Sequence, residues 1–315
     1  MKIQYWTVSL MMVGLFLGGC GEVKKEADTM ALNTEGAERT TPAPAKKRPL
    51  SQAFKDYWYA GDAEITSYRL EQARYGELRE GKAVLIFVTE PFLADKQVKA
   101  DRSNPSNIPV LKLNKTKKYL TGIYPYSIMN STFYPVYDNQ HAIKTSLSVQ
   151  EWCGQVYSQL NNRDSFEFVS HSYFEGEADE AFTIEKNHLE NEVWNKIRIH
   201  PKGLPQGEIS MIPALEYFRV QHRPVQAYQA VATLEENGDQ QTYTVAYKNT
   251  NRTLSITFNT AFPHEILSWE ETFSSGFGPN AKRMVSKGTK LKSLKTPYWR
   301  QNSNAFLHLR DSLDL

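Results

Sequence analysis

The sequence predicts a mainly β protein, a curved antiparallel sheet or partial barrel carrying one or two short helices. Three observations predict it. From Tyr57 onward the apolar residues recur mostly with a period of two rather than 3.6. Turn-forming clusters interrupt these runs at close spacing. Only two stretches carry a helical stripe. No repeat of about 20–50 residues and no internal linker divides the chain after the tether, so residues 51–315 read as a single β-rich domain.

In chain order, residues 83–89 form a short apolar run, the pattern of a strand buried on both faces. Residues 122–136 are β-branched and aromatic, with Pro125 and Pro135 confined to strand ends or edges because proline cannot donate to a ladder. Between residues 185 and 198, Leu189, Val193, Trp194 and Ile197 make a helical stripe that Pro201 terminates. The last third alternates cleanly. Tyr228, Ala230, Ala232 and Leu234 share one face, as do Tyr243, Val245 and Tyr247, and then Leu254, Ile256 and Phe258. Glu236-Asn237-Gly238-Asp239 and Asn249-Thr250-Asn251-Arg252 supply the turns between them. Residues 266–273 and 284–294 continue the meander. Ser303 or Asn304 can then cap a short helix bearing Phe306, Leu309 and Leu313.

The N-terminus reads differently. Lys2 precedes an apolar run from Val8 to Leu17, too short to span a bilayer and arranged like a signal peptide over residues 1–19. Leu17-Gly18-Gly19-Cys20 resembles the bacterial lipobox, which implies acylation at Cys20 and a membrane anchor. Residues 20–50 then hold almost no large apolar side chain, the composition of a disordered tether. Gly21, rather than Asp, follows the cysteine and favours the outer membrane in the sorting pattern that this resemblance implies. With Cys20 lipidated, Cys153 has no cysteine to pair with, so stability must come from burial.

Several chemistries can be weighed on residues. A net charge of +2 argues against a nucleic-acid partner. Gly76-Glu77-Leu78-Arg79-Glu80-Gly81-Lys82 has phosphate-loop spacing, but Ala83 replaces the magnesium-binding hydroxyl and a strand follows, so a hairpin turn between Tyr75 and Val84 explains it better. Seven histidines show no i, i+4 pair, and Glu175 to Glu180 lack calcium-loop spacing, so no metal and no cofactor is expected. Glu270 and Glu271 point to opposite faces of a strand and cannot flank one glycosidic bond. Lys112, Lys115, Lys117 and Lys118 read as outward or edge lysines that block aggregation, or as a site for anionic partners. Cys153 reads as a buried structural thiol. The alternative is a cysteine hydrolase in which His141 or His171 activates it.

Phe54-Lys55-Asp56-Tyr57-Trp58-Tyr59-Ala60-Gly61, Glu151-Trp152-Cys153-Gly154-Gln155 and Ser170-His171-Ser172-Tyr173-Phe174-Glu175-Gly176-Glu177 together resemble a family of uncharacterised Gram-negative envelope lipoproteins. Some of its members carry the label septum formation inhibitor Maf. The Ser-x-Ser-Pro-Arg-Arg type motif of the Maf nucleotide pyrophosphatases does not occur in this chain, and that activity does not transfer. The resemblance implies an envelope location and no particular reaction. In architecture alone, the expected sheet resembles envelope proteins that shield an acyl chain, such as the lipoprotein-localisation factors.

The expectation is therefore a non-catalytic outer-membrane lipoprotein that binds an apolar ligand or an envelope protein partner. Trp58, Tyr124, Tyr126, Phe133 and Tyr134 are its expected ligand-lining residues. A glycan-binding module presenting Trp58 or Trp299 is a further alternative.

Overall fold

The computed structural model describes residues 48–102, 104–137 and 140–315. The signal-peptide and Cys20 readings, and nearly all of the tether, lie outside the described residues. What is described belongs to one compact unit, Ala45–Leu315.

The fold is mainly β, one large sheet that does not close into a barrel. Its first arm is a meander of β1 (Ala63–Arg74), β2 (Glu77–Leu93), β4 (Ile108–Thr121), β5 (Tyr124–Pro135), β6 (Lys144–Glu151), β7 (Gly154–Asn162), β8 (Phe166–Ser172) and β9 (Glu180–Ile184), with the two-residue β3 (Val98–Lys99) beside β2. The second arm comprises β10 (His188–Leu189), β11 (Gly207–Ile212), β12 (Tyr228–Asn237), β13 (Gln240–Tyr247), β14 (Arg252–Asn259), β15 (Ile266–Ser275) and β16 (Lys282–Thr296). Pairing of β1 with β16 joins the arms, which leaves β9 and β10 as the two ends of the sheet. Every pairing is antiparallel except β10 with β11, which is parallel.

The alternation read from the sequence is the register observed. Val245 opposes Leu254 and Tyr243 opposes Ile256, and all four are buried. In β2, Ala83, Leu85 and Phe87 enter the main core. Val84, Ile86 and Val88 face a second cluster with Ala63, Ile65 and the C-terminal Leu313, so both faces of this strand are covered. The Gly76–Lys82 string serves the sheet. Tyr75 and Gly76 form the turn with φ of 55° and 77°, earlier than a turn placed across the whole string. Gly81 lies inside β2, where a Cβ would sit 2.2 Å from the Lys118 carbonyl oxygen.

Four short helices accompany the sheet among the described residues: α1 (Gln52–Trp58), α2 (Glu190–Ile199), α3 (Leu215–Gln221) and α4 (His308–Asp311). The internal helix starts five residues later than 185 because His188 and Leu189 first pair with β11. At the C-terminus a 3-10 turn (Asn304–Phe306) follows Ser303, whose side chain makes no capping bond, and α4 comes after it. Two helices were not expected, α1 and α3, each seven residues long and too short to show a full stripe. Ser51 caps α1 by accepting from the Phe54 N–H at 3.1 Å.

All ten residues of α2 are buried. Asn195 donates to the Leu111 carbonyl of β4 (2.7 Å), and Glu192 accepts from the Ala142 N–H before β6 (2.8 Å). Arg198 donates to Glu64 of β1, and Glu190 accepts from Arg252 of β14. Strands of both arms therefore pack on one helix, and the sheet curves around it.

Candidate functional site

Two places gather polar chemistry. The first is the charged interior between α2, α3 and the sheet. Lys117 Nζ donates to Glu216 Oε1 (2.7 Å) and to Gln72 Oε1 (3.2 Å), and Asn130 donates to Glu216 Oε2 (3.0 Å). Lys115 Nζ lies 3.8 Å from Glu216 and 4.5 Å from the centre of the Trp194 ring. Arg252 spans Glu190 (2.5 and 2.7 Å) and Glu271 (2.7 Å), and Tyr247 donates to Glu190 (2.6 Å). Burial pushes the Glu190 and Glu216 carboxyls up, but Arg252 and Lys117 beside them pull both below the usual range. Burial pushes the Lys115 ammonium down.

This overturns both readings of the lysine cluster for Lys115 and Lys117. They are core residues on the same strand face as Leu111 and Leu113, not outward charges. The enclosed space among these groups is about 20 Å³, room for about one water. It is an ion-paired core with no room for a substrate.

The second place is a cleft of about 810 Å³. Its floor is the inner face of β7 to β9, where Val156 and Phe168 stand beside Ser158 and Ser170, whose hydroxyls bond each other at 3.0 Å. Phe182 packs on Phe168 with ring centres 5.0 Å apart. The opposite wall is α3 and the residues after it, with Leu215, Phe218, Arg219 and Val225. Glu177 ties the two walls together. It accepts from Arg219 Nη1 (3.0 Å) and Ser172 Oγ (2.8 Å) and lies 2.9 Å from His222 Nδ1. Arg219 also lies over the Phe174 ring, 4.4 Å from its centre.

Antiparallel pairing returns the turns at 75–76, 122–123 and 152–153, and the loops at 173–179 and 276–281, to one end of the sheet. Tyr75, Ile123, Trp152, Tyr173 and Phe277 are exposed there. Tyr75 and Phe277 also line the cleft, so it opens at this apolar rim.

Of the five expected ligand-lining residues, Tyr126 lines the cleft, and Tyr124 stands beside it with ring centres 6.0 Å apart. The others lie elsewhere. Trp58 is buried in the core under Arg198, Tyr134 is buried in the same core, and Phe133 packs on Phe92 in a separate cluster. Trp299 is exposed, outside the cleft. The sequence reading missed Phe168, Phe182 and Phe218. For Phe168 a signal existed: Phe166, Phe168 and Ser170 alternate onto one face of β8.

Cys153 is exposed, contrary to the buried thiol expected from its residue type. It occupies a turn, where a side chain has no sheet face to enter. Donation of the thiol proton to the Glu151 carboxylate, together with that carboxylate's charge, pushes the thiol up, away from thiolate. His141 Nδ1 contacts Glu192 (3.2 Å) and His171 Nδ1 contacts Asp179 (3.3 Å). His171 and Cys153 border one shallow depression, and no hydrogen bond joins them among the described residues. No family model, curated protein or solved structure matches this chain.

Proposed function

We propose that this chain is an outer-membrane lipoprotein, anchored through an acylated Cys20, that holds an apolar ligand in the cleft without reacting with it. The cleft carries the reading. Its volume of about 810 Å³ falls within the roughly 300–1,000 Å³ of small-molecule sites. Phenylalanine, valine and leucine stand on its floor and walls among the serines and charged groups described above, and it opens at one rim. The leader and lipobox pattern supports the anchor.

The test uses the full chain with Cys20→Ser, purified without detergent from its own envelope and extracted with organic solvent. A stoichiometric amphiphile or other apolar compound in the extract, absent when Phe168→Glu is also present, supports the reading. A clean extract, together with failure to take up a fluorescent apolar probe, overturns it. The anchor is tested separately, by incorporation of a palmitate analogue that Cys20→Ser abolishes.

One observation favours an envelope protein partner as a second reading. The end strand β9 is largely exposed along its length and pairs only with β8, so it can accept an added strand. Cross-linking from Thr183 to an envelope protein would support it, and the absence of any adduct would count against it.

A further inference from the structure

Four arginines are buried among the described residues: Arg74, Arg198, Arg219 and Arg252. Three of them face a carboxylate, Arg198 on Glu64 (2.5 Å), Arg219 on Glu177 (3.0 Å) and Arg252 on Glu190 (2.5 Å). Arg74 has no ion pair among the described residues, although it is only 6 % exposed. A buried charge is ordinarily neutralised by a partner, because removing it from water is costly. Arg74 ends β1 and lines the cleft just beneath the rim.

The neighbours of Arg74 are neutral. Nη1 donates to the Val220 carbonyl (2.8 Å), and Nη2 donates to the phenol oxygens of Tyr75 (3.0 Å) and Tyr126 (3.2 Å). The guanidinium carbon lies 4.1 Å from the centre of the Tyr75 ring, and Nε has no partner. Tyr75 and Tyr126 are hydrogen-bonded to each other at 2.8 Å, and Tyr124 lies beside Tyr126 with ring centres 6.0 Å apart. Tyr75 and Tyr126 have two phenol protons and the bond between them uses one, so one O–H remains to donate. The acids that line the cleft are engaged or peripheral. Glu177 holds Arg219 and His222, Glu151 accepts from the Cys153 N–H (2.7 Å), and Glu180 begins the exposed edge strand.

We infer that the cleft takes an anionic amphiphile, its carboxylate or phosphate on Arg74 and the phenols of Tyr75 and Tyr126, its chain over Phe168, Phe182 and Phe218. This rests on the apolar-ligand reading above. The anion completes the one buried arginine left without a counter-charge among the described residues, and the phenylalanines accept the chain from the same opening.

The test compares an anthroyloxy-labelled stearic acid with its methyl ester, bound to the full-length Cys20→Ser chain after delipidation, at a pH where the acid is ionised. The acid should bind about tenfold tighter than the ester, the scale of one charge-assisted hydrogen bond. Arg74→Gln should bring the acid down to the ester's affinity and leave the ester unchanged, which also shows that the variant folds. Tyr75→Phe is the companion variant. It keeps the ring over Arg74, removes one phenol from the headgroup site, and should reduce the acid's preference without moving the ester.

Equal binding of acid and ester by the unsubstituted cleft overturns the headgroup assignment and leaves the apolar cleft standing. Failure of both probes overturns the cleft reading itself. Displacement of the acid by inorganic phosphate with the ester unaffected overturns the amphiphile in favour of a free-anion site.

Discussion

The placement of α2 inside the sheet makes a demanding prediction at Arg198. Its guanidinium donates to both oxygens of Glu64 (2.5 and 2.6 Å), and its Nε donates to the Pro263 carbonyl (2.8 Å). Arg198→Met keeps much of the side-chain volume but leaves Glu64 buried, with the Tyr57 hydroxyl (2.5 Å) as its nearest donor. Removing one member of such a buried pair costs about 3–5 kcal/mol. That is a large part of the roughly 5–15 kcal/mol that holds an ordinary domain. Glu64→Gln in the Arg198→Met background removes the stranded charge, so the double variant should recover on the order of 2–3 kcal/mol relative to additivity.

The sign with pH separates this account from a simple packing loss. In the native chain burial pushes the Glu64 carboxyl up, and Arg198 more than reverses it, leaving it below the usual range. Without Arg198, burial, the largest influence on Glu64, outweighs the weaker pull of the Tyr57 hydroxyl and Lys295, and the folded carboxyl should titrate above its unfolded value. The penalty of Arg198→Met should then shrink as pH falls from 7 toward 5 and Glu64 takes up a proton. Urea titrations followed by tryptophan fluorescence read this directly, since Trp58 lies 5.0 Å from the guanidinium. A loss below about 1 kcal/mol, the scale of an exposed pair, with no pH dependence, would refute the burial of α2.

Three further outcomes are expected. Gly288→Ala should destabilise by about 1–3 kcal/mol, as overpacking does, because its Cβ would meet the Trp269 ring at 2.2 Å; an unchanged urea midpoint would contradict the register of β15 on β16. Stability should decline below about pH 6.5, because burial holds His188, His200 and His264 below their ordinary value and the unfolded chain binds those protons first. It should fall more steeply below about pH 4.3, where the unfolded glutamates protonate before Glu64, Glu190, Glu192 and Glu216, all held lower in the fold, each excess proton adding about 1.4 kcal/mol per pH unit. A flat profile from pH 7 to about 3 would show that these groups are solvated. Cys153 should alkylate completely in the native state, and Glu151→Gln should speed the reaction about two- to fivefold by removing the carboxylate that holds the thiol protonated; a thiol that reacts only in urea would contradict the exposed turn.

The strands were legible because alternation is a local signal, and tight turns such as Gly238-Asp239 mark where it restarts. The same signal, followed one step further, would have placed Lys115 and Lys117 inside. Leu111, Leu113, Lys115, Lys117 and Tyr119 are consecutive same-face residues of β4, and only residue type argued for turning the lysines outward. Their partner Glu216 lies 99 residues from Lys117, on a helix too short to announce itself. The candidate site was less legible still. Tyr124 and Tyr126 were found from aromatic density, but the cleft depends on where α3 leaves the sheet uncovered, and α3 has no period to read. Arg74 carried no signal in sequence, since its distinction is the lack of a carboxylate among the described residues, which only the fold can reveal.

The polar face of α2 explains why a cleft survives in a sheet whose two arms pack on one helix. A fully apolar helix in an apolar lumen could rotate or slide with little change in buried area. Here Glu190 is fixed to β14, Glu192 to the Ala142 backbone, Asn195 to β4 and Arg198 to β1, four directions around one helix of ten residues. Those bonds set both the rotation and the height of α2, and Asn191 carries the constraint onward by accepting from the Leu215 N–H at the start of α3 (3.2 Å). Lys117 and Asn130 then hold Glu216 against β4 and β5. The position of α3, and with it the wall that Phe218 and Arg219 present to β8 and β9, follows from this chain of contacts. The space within the sheet is filled where α2 runs and open where α3 faces β7 to β9, so the cleft is preformed by the ion-paired core behind it.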